Sequence, residues 1–471
     1  MNDTTGLLVA ILICLPAFLL AFQKSSWLVD YLFFVVALNR GVRRYVDWLN
    51  GSFNPLSLIS LTPIIVGGLA TLVVLSELNR RSRQFGSTTI QIILCYSAAC
   101  AMALVVGFIN TSFGAIYALG DYLAPIGLIG FGALCIDKPR ILDRWSHSVA
   151  LSAVVVAVYG IYQFYTIPPW DAFWVRAVDF EGYLGELEPT KMSLFSTLNE
   201  RGPAASYLCS GLILIVLRPG TLWWFRWPAA SLVLMAMLLT YARTSVIQAS
   251  LACLLFPILN RGSGIIPIAI LCMIAAVFGE TLLQKLPGEG KAATRVSTIG
   301  NIREDGSFQG RMVNMGRAAT NALSEPFGLG LGSHGLAARV ASKESDGEGD
   351  SSGYIESLRT FGWIGFALMV SILYRSWNRS QTLITSKNLD PNVALFRVWF
   401  ASGMVALLSG NWLFTATFFW VLVGYVVARS DRLKTSERKP KRVEFYFDQD
   451  LQTPRNTRLG KTMLQNLDTR A

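Results

Sequence analysis

Apolar runs recur along almost the whole chain, at 6–22, 56–76, 88–109, 148–165, 264–278, 354–374 and 412–428. A hydrocarbon core about 30 Å thick takes about 20 apolar residues of helix to cross, and these runs match or nearly match that length. With the weaker periodic stretches between them, the pattern predicts about thirteen helices. They fall at 6–22, 27–38, 56–76, 88–109, 112–136, 148–165, 203–217, 227–242, 245–260, 264–280, 354–375, 394–410 and 412–428. The second is short for a span and carries Asp30, so twelve crossings is the alternative. The expectation is an all-α polytopic membrane protein with about 12–13 transmembrane helices. Residues 1–428 form its membrane domain, and a long polar loop at 281–353 precedes the last three helices.

Charge sets the expected orientation. Arg80, Arg81 and Arg83, Lys138 with Arg140 and Arg144, Arg218 with Arg226, and the basic residues of 375–387 all fall on one side. So does a basic tail at 429–471. The positive-inside bias makes that side the cytoplasm. Two long loops then face outward: 166–202, with Asp171, Asp179, Glu181, Glu186, Glu188 and Glu200, and the Gly-rich 281–353. Arg40, Arg43 and Arg44 break the pattern, because thirteen spans place them outside. Either the first two segments are misread, or 41–50 is an interfacial helix turning Val42, Tyr45, Val46 and Leu49 toward lipid.

Composition agrees with lipid as the main solvent. Hydrophobic residues make up 52% of the 471 and charged residues only 15%, against nearer 25% charged in soluble domains. Trp27, Trp48, Trp223, Trp224, Trp227, Trp377 and Trp412 sit near run ends, where aromatic belts form. The net charge of +11 does not indicate nucleic acid, since the basic residues lie in short loops and the tail. The seven cysteines all lie in apolar segments without a C-x-x-C pair and read as buried thiols. With His147 and His334 the only histidines, a His-rich metal cage is excluded. Residues 1–22 have no basic n-region and read as a retained first helix.

Candidate chemistry lies where the apolar runs are interrupted. Arg243 stands alone between two runs in Leu-Thr-Tyr-Ala-Arg-Thr-Ser. An arginine at a membrane edge is expensive, and its fork of donors suits phosphate; the alternative is a snorkelling helix end. The loop 281–353 adds Arg295, Asp305, Ser307, Arg311 and Arg317, then Glu325-Pro-Phe-Gly-Leu-Gly-Leu-Gly-Ser-His334. Several arginines near Asp305 and Asp350 suit an anionic substrate; a solvated loop with weak ion pairs is the alternative. The glycines permit tight turns and close approach to a ligand. Asp350 precedes an apolar helix and reads either as its N-cap or as a general base.

These motifs in this order resemble the O-antigen polymerase and O-antigen ligase superfamily of bacterial envelope polysaccharide proteins. They are an apolar run ending in Thr240-x-x-Arg243, a long loop with Gly310-Arg311 and Glu325-Pro-x-Gly-x-Gly, and a polar segment entering a helix with Gly362-Trp-Ile-Gly365. Pro169-Trp170-Asp171, Phe195 to Asn199, Arg43 to Asp47 and Asn54-Pro55 are similar to the exopolysaccharide polymerase branch. The resemblance covers about residues 30–425. It implies a GT-C type glycosyltransferase of the bacterial inner membrane, active on the periplasmic face, with its C-terminus cytoplasmic. Donor and acceptor are lipid-linked oligosaccharides, and no metal or nucleotide sugar is needed. A flippase and a chain-length regulator are implied partners.

By the same resemblance Arg243 and Arg311 bind the undecaprenyl pyrophosphate of the donor, with Arg295 or Arg317 assisting. Asp350 is the first candidate for proton acceptor and His334 the second. The ligases' His-Asn-x-x-Leu motif is not matched; its slot reads Asp350-Ser-Ser-Gly-Tyr354, which favours a polymerase over the alternative, a ligase. Trp170 and Asp171, with Trp174 and Tyr183, are expected to bind sugar or to form a structural lid. A transporter of lipid-linked glycan is the third reading, against which no internal repeat is found.

Overall fold

The computed structural model describes residues 4–54, 57–80, 82–179, 184–218, 220–260, 324–333, 352–384, 390–408, 412–413 and 415–438, with isolated positions at 313, 316, 320 and 410. Among these, the chain is helical, with one isolated bridge between Gly185 and Met192. The helices are α1 (Thr4–Phe22), α2 (Trp27–Leu49), α3 (Thr62–Arg80), α4 (Ser82–Thr111), α5 (Phe113–Leu134), α6 (Pro139–Thr166) and α7 (Pro169–Ala177). They continue as α8 (Arg201–Leu217), α9 (Arg226–Leu239), α10 (Arg243–Asn260), α11 (Gly353–Thr382), α12 (Pro391–Ala406) and α13 (Thr417–Arg438). Short 3-10 turns lie at Leu58–Leu61 and Ser196–Leu198. In lipid only internally bonded backbone is tolerated, which is why apolar runs resolve into helices.

Among the described residues, six segments are long and apolar enough to cross a membrane: Thr4–Phe22, Leu58–Leu78, Phe85–Thr111, Gly114–Leu134, Pro139–Thr166 and Gly353–Thr382. The protein is an α-helical polytopic membrane protein. The expected helix at 264–280 lies outside the described residues, and α7 forms inside what reads as a loop. The helix expected at 27–38 runs on to Leu49, through Arg40, Arg43 and Arg44.

Ion pairs define one end of the bundle. Lys24 after α1 meets Glu77 near the end of α3 at 2.8 Å, and Arg144 in the first turns of α6 meets Asp30 of α2 at 2.8 Å. Arg218 after α8 meets Asp143 at 2.6 Å, and Arg379 near the end of α11 meets Asp431 of α13 at 3.1 Å. Arg432 pairs with Asp137, and Arg429 with Asp390 before α12. This basic end gathers the loops that charge bias assigns to one side. Asp431 also accepts from the Thr88 amide at 2.9 Å, capping α4 where it restarts after a break at Gly86. The other ends of the helices, with α7 and residues 184–200, make up the loop end.

Candidate functional site

The loop end is organised by a buried guanidinium. Arg44 and Asp171 are both wholly enclosed and form an ion pair at 2.7 Å. Arg44 also donates to the Asn199 side chain at 2.6 Å and to the Ser196 carbonyl. The rings of Trp174 and Phe195 lie 5.6 and 4.9 Å from its guanidinium carbon. A charge removed from water persists only when paired and hydrogen-bonded, and here its acceptors arrive from α7 and from the turn at 196–199. The preceding residue, Arg43, pairs with Asp47 one turn further on at 3.3 Å and donates to Ser60 at 2.8 Å and to the Asn54 carbonyl at 2.7 Å.

This network explains why α2 continues through three arginines. Arg43 and Arg44 turn inward, while Val42, Tyr45 and Leu49 stay exposed as an interfacial face requires. Val46 departs from that expectation: it packs inward near Ala10 and Ile59.

Asp171 sits in the first turn of α7, where Pro169 starts the helix. Its Oδ2 accepts from the Tyr159 hydroxyl at 2.7 Å and from Gln163 Nε2 at 2.5 Å. The Gln163 carbonyl oxygen in turn accepts from the amides of Phe195 and Ser196, at 3.2 and 2.8 Å. The Asp171 carboxylate is engaged by Arg44, Tyr159 and Gln163, an arrangement that matches the structural one of its two expected roles. Trp170 differs. Its indole N–H donates to the Tyr159 oxygen at 2.5 Å. Its ring packs edge-on against Tyr45 at 5.3 Å and Trp48 at 5.9 Å. The three rings form a partly exposed ledge beside the buried pair. Trp174, also expected to meet sugar, is fully buried. Beyond the ledge, Lys191 holds Glu188 at 2.5 Å and Glu186 at 3.4 Å, and the hydrogen bond to Glu188 raises the pKa of this exposed lysine.

Arg243 opens α10 at the same end. The Leu194 amide donates to the Leu239 carbonyl at 3.0 Å, which ties the 193–196 segment to the turn before Arg243. That turn reverses through Tyr241, held at φ +55°. The other predicted site residues, Arg295, Asp305, Ser307, Arg311, Arg317, His334 and Asp350, lie outside the described residues. The N-cap position of α11 is Ser352, whose hydroxyl donates to the Leu407 carbonyl at 3.2 Å.

The Gly-rich motif threads between helices. The amides of Leu329 and Gly330 donate to the carbonyls of Arg359 and Thr360 at 2.6 and 3.2 Å, and Leu331 donates to Ala103 at 2.8 Å. The first two acceptors are exposed because α11 breaks at Gly362, where φ is +63°. Gly328, Gly330 and Gly332 all have φ between +72° and +82°. A Cβ on Gly328 would lie 2.5 Å from the Gly362 nitrogen, one on Gly330 2.0 Å from the Gly107 nitrogen, and one on Gly332 2.6 Å from the Gly114 carbonyl carbon. These glycines admit protein backbone rather than a ligand.

The residues that sequence reasoning left without a role are Arg44, Tyr159, Gln163, Ser196 and Asn199. Arg44 gave the one available signal, a cation on the wrong side of the charge bias. No protein-family model matches the chain, and no curated protein matches it significantly.

Proposed function

We propose that the protein is a membrane glycosyltransferase that polymerises undecaprenyl-pyrophosphate-linked oligosaccharide repeats into exopolysaccharide or O-antigen. One observation supports this reading most. The separate segments that carry the resemblance, at 43–47, 54, 169–171 and 195–199, are joined by hydrogen bonds and ion pairs at one end of the bundle. They are tied there to the turn that leads into Arg243.

In the proposed reaction an acceptor hydroxyl oxygen attacks the anomeric carbon of the donor. The carbon–oxygen bond to the diphosphate breaks, the electron pair leaves with the diphosphate, and Asp350 or His334 takes the hydroxyl proton. Charge grows on the leaving diphosphate, so the guanidinium groups of Arg243 and Arg311 lower the barrier by binding it more strongly as the bond breaks. Arg295 and Arg317 assist from the same loop. The Trp170 ledge supports a sugar face, and the Arg44–Asp171 pair fixes α7 beneath it.

Replacing Arg243 or Arg311 with Ala, at normal membrane abundance, is expected to leave single repeats on the carrier lipid in place of long polymer. Long polymer from either Ala variant removes that arginine from the chemistry. Full rescue by Lys removes a bidentate role, because Lys is a point charge. Loss of a ligase would instead leave long polymer on the carrier. A transport reading has one observation in its favour, the break of α11 at Gly362, since discontinuous helices are common in transporters. Elongation of glycan by the purified protein in detergent separates the two.

A further inference from the structure

Three arginines are buried among the described residues: Arg43, Arg44 and Arg397. The first two are paired with carboxylates. Arg397, on α12, has no hydrogen-bond or ion-pair partner among the described residues, although only 9% of it is exposed. Its Nε is sealed from solvent and unpartnered, so the remaining exposure lies elsewhere in the residue. The one group found facing its guanidinium is the Trp377 ring of α11, 5.0 Å away, and that ring stacks on Phe400 at 5.0 Å.

An uncompensated buried cation is expensive. A cation–π contact offsets only part of that cost. The position narrows the missing partner. Arg397 lies six residues past Pro391, the first residue of α12, and Trp377 lies five residues before the end of α11. At 1.5 Å rise per residue both groups stand about 8–9 Å inside the basic end of their helices. That depth is where hydrocarbon gives way to headgroups, and where Trp rings prefer to sit. The neighbouring cations do not share the duty: Arg375 donates to Gln91 at 2.6 Å, and Arg379 is held by Asp431.

We infer that Arg397 and Trp377 form a binding site for the phosphate of an anionic phospholipid headgroup in the leaflet at the basic end. The phosphate accepts from the guanidinium while the indole lies along the glycerol region. The site is independent of the proposed catalytic end.

Native mass spectrometry of the purified full-length protein tests this. Phosphatidylglycerol or phosphatidylcholine is added at equal concentration, with and without millimolar inorganic phosphate. The expected result is retention of phosphatidylglycerol over phosphatidylcholine, weakened about tenfold in Arg397→Gln and kept in Arg397→Lys. Equal retention of the two lipids by the wild type overturns the inference without any variant. So does unchanged phosphatidylglycerol preference in Arg397→Gln. Displacement of the lipid by millimolar inorganic phosphate reassigns the site to a soluble anion and also overturns it.

Discussion

The two ends of the bundle handle charge in opposite ways. At the basic end, cations and carboxylates meet between neighbouring helix ends, often half in water: Asp143 is 58% exposed against Arg218, and Asp137 is 46% exposed against Arg432. At the loop end, Arg44 and Asp171 are both 0% exposed and hydrogen-bonded on several sides. Exposed pairs are screened and contribute little, whereas breaking an enclosed pair strands a charge. The basic end can therefore lose members one at a time. The loop end holds or fails as a unit.

Substitutions at the two ends test that contrast, in falling order of effect. Arg44→Ala or Asp171→Ala should destabilise by about 3–5 kcal/mol, read as thermal unfolding in detergent. The paired replacement of both by apolar residues should lose much less than the sum of the two. An additive result would show that the pair is not a unit. Gly330→Ala should lose about 1–3 kcal/mol from backbone strain, while Gly220→Ala, with open space around it, should stay within about 0.5 kcal/mol. Trp170→Phe keeps the ring but deletes the donor to Tyr159, and should lower stability by about 0.5–1.5 kcal/mol. Arg218→Ala at the basic end should change it by about 0–1 kcal/mol. A loss there as large as at Arg44 would erase the distinction between the ends.

Hydropathy marks helices well where side chains face lipid or core, and less well where charge is internally compensated. The span read as 148–165 begins at Pro139 instead, because its first turns carry Arg140, which is exposed, and Asp143 and Arg144, whose charges are answered by neighbours at the basic end. For α2 the missing information was a partner 155 positions away, Asn199, together with Asp171. Local hydropathy cannot register that kind of compensation. The start of α7 was locally signalled by Pro169 and by Asp171 in the first turn, but the helix is too short to show a clear apolar period. At the candidate site the place of Arg243 was legible, because a lone cation interrupts two apolar runs. The role of Asp171 was not, since an acidic residue in an outer loop looks the same whether it faces sugar or a buried guanidinium. The Gly-rich motif pointed to close approach, but only the fold reveals that the approaching group is another stretch of backbone.

That motif has a consequence for how the sequence can drift. Glycines 328, 330 and 332 recur at every second position, and each abuts a glycine elsewhere: 362, 107 and 114. The arrangement works like teeth on a rack. Inserting or deleting one residue in the segment would throw all three contacts out of phase at once. Descendants of this chain should therefore vary freely in length on either side of 328–332, yet keep its spacing and its three distant counterparts as one inherited set.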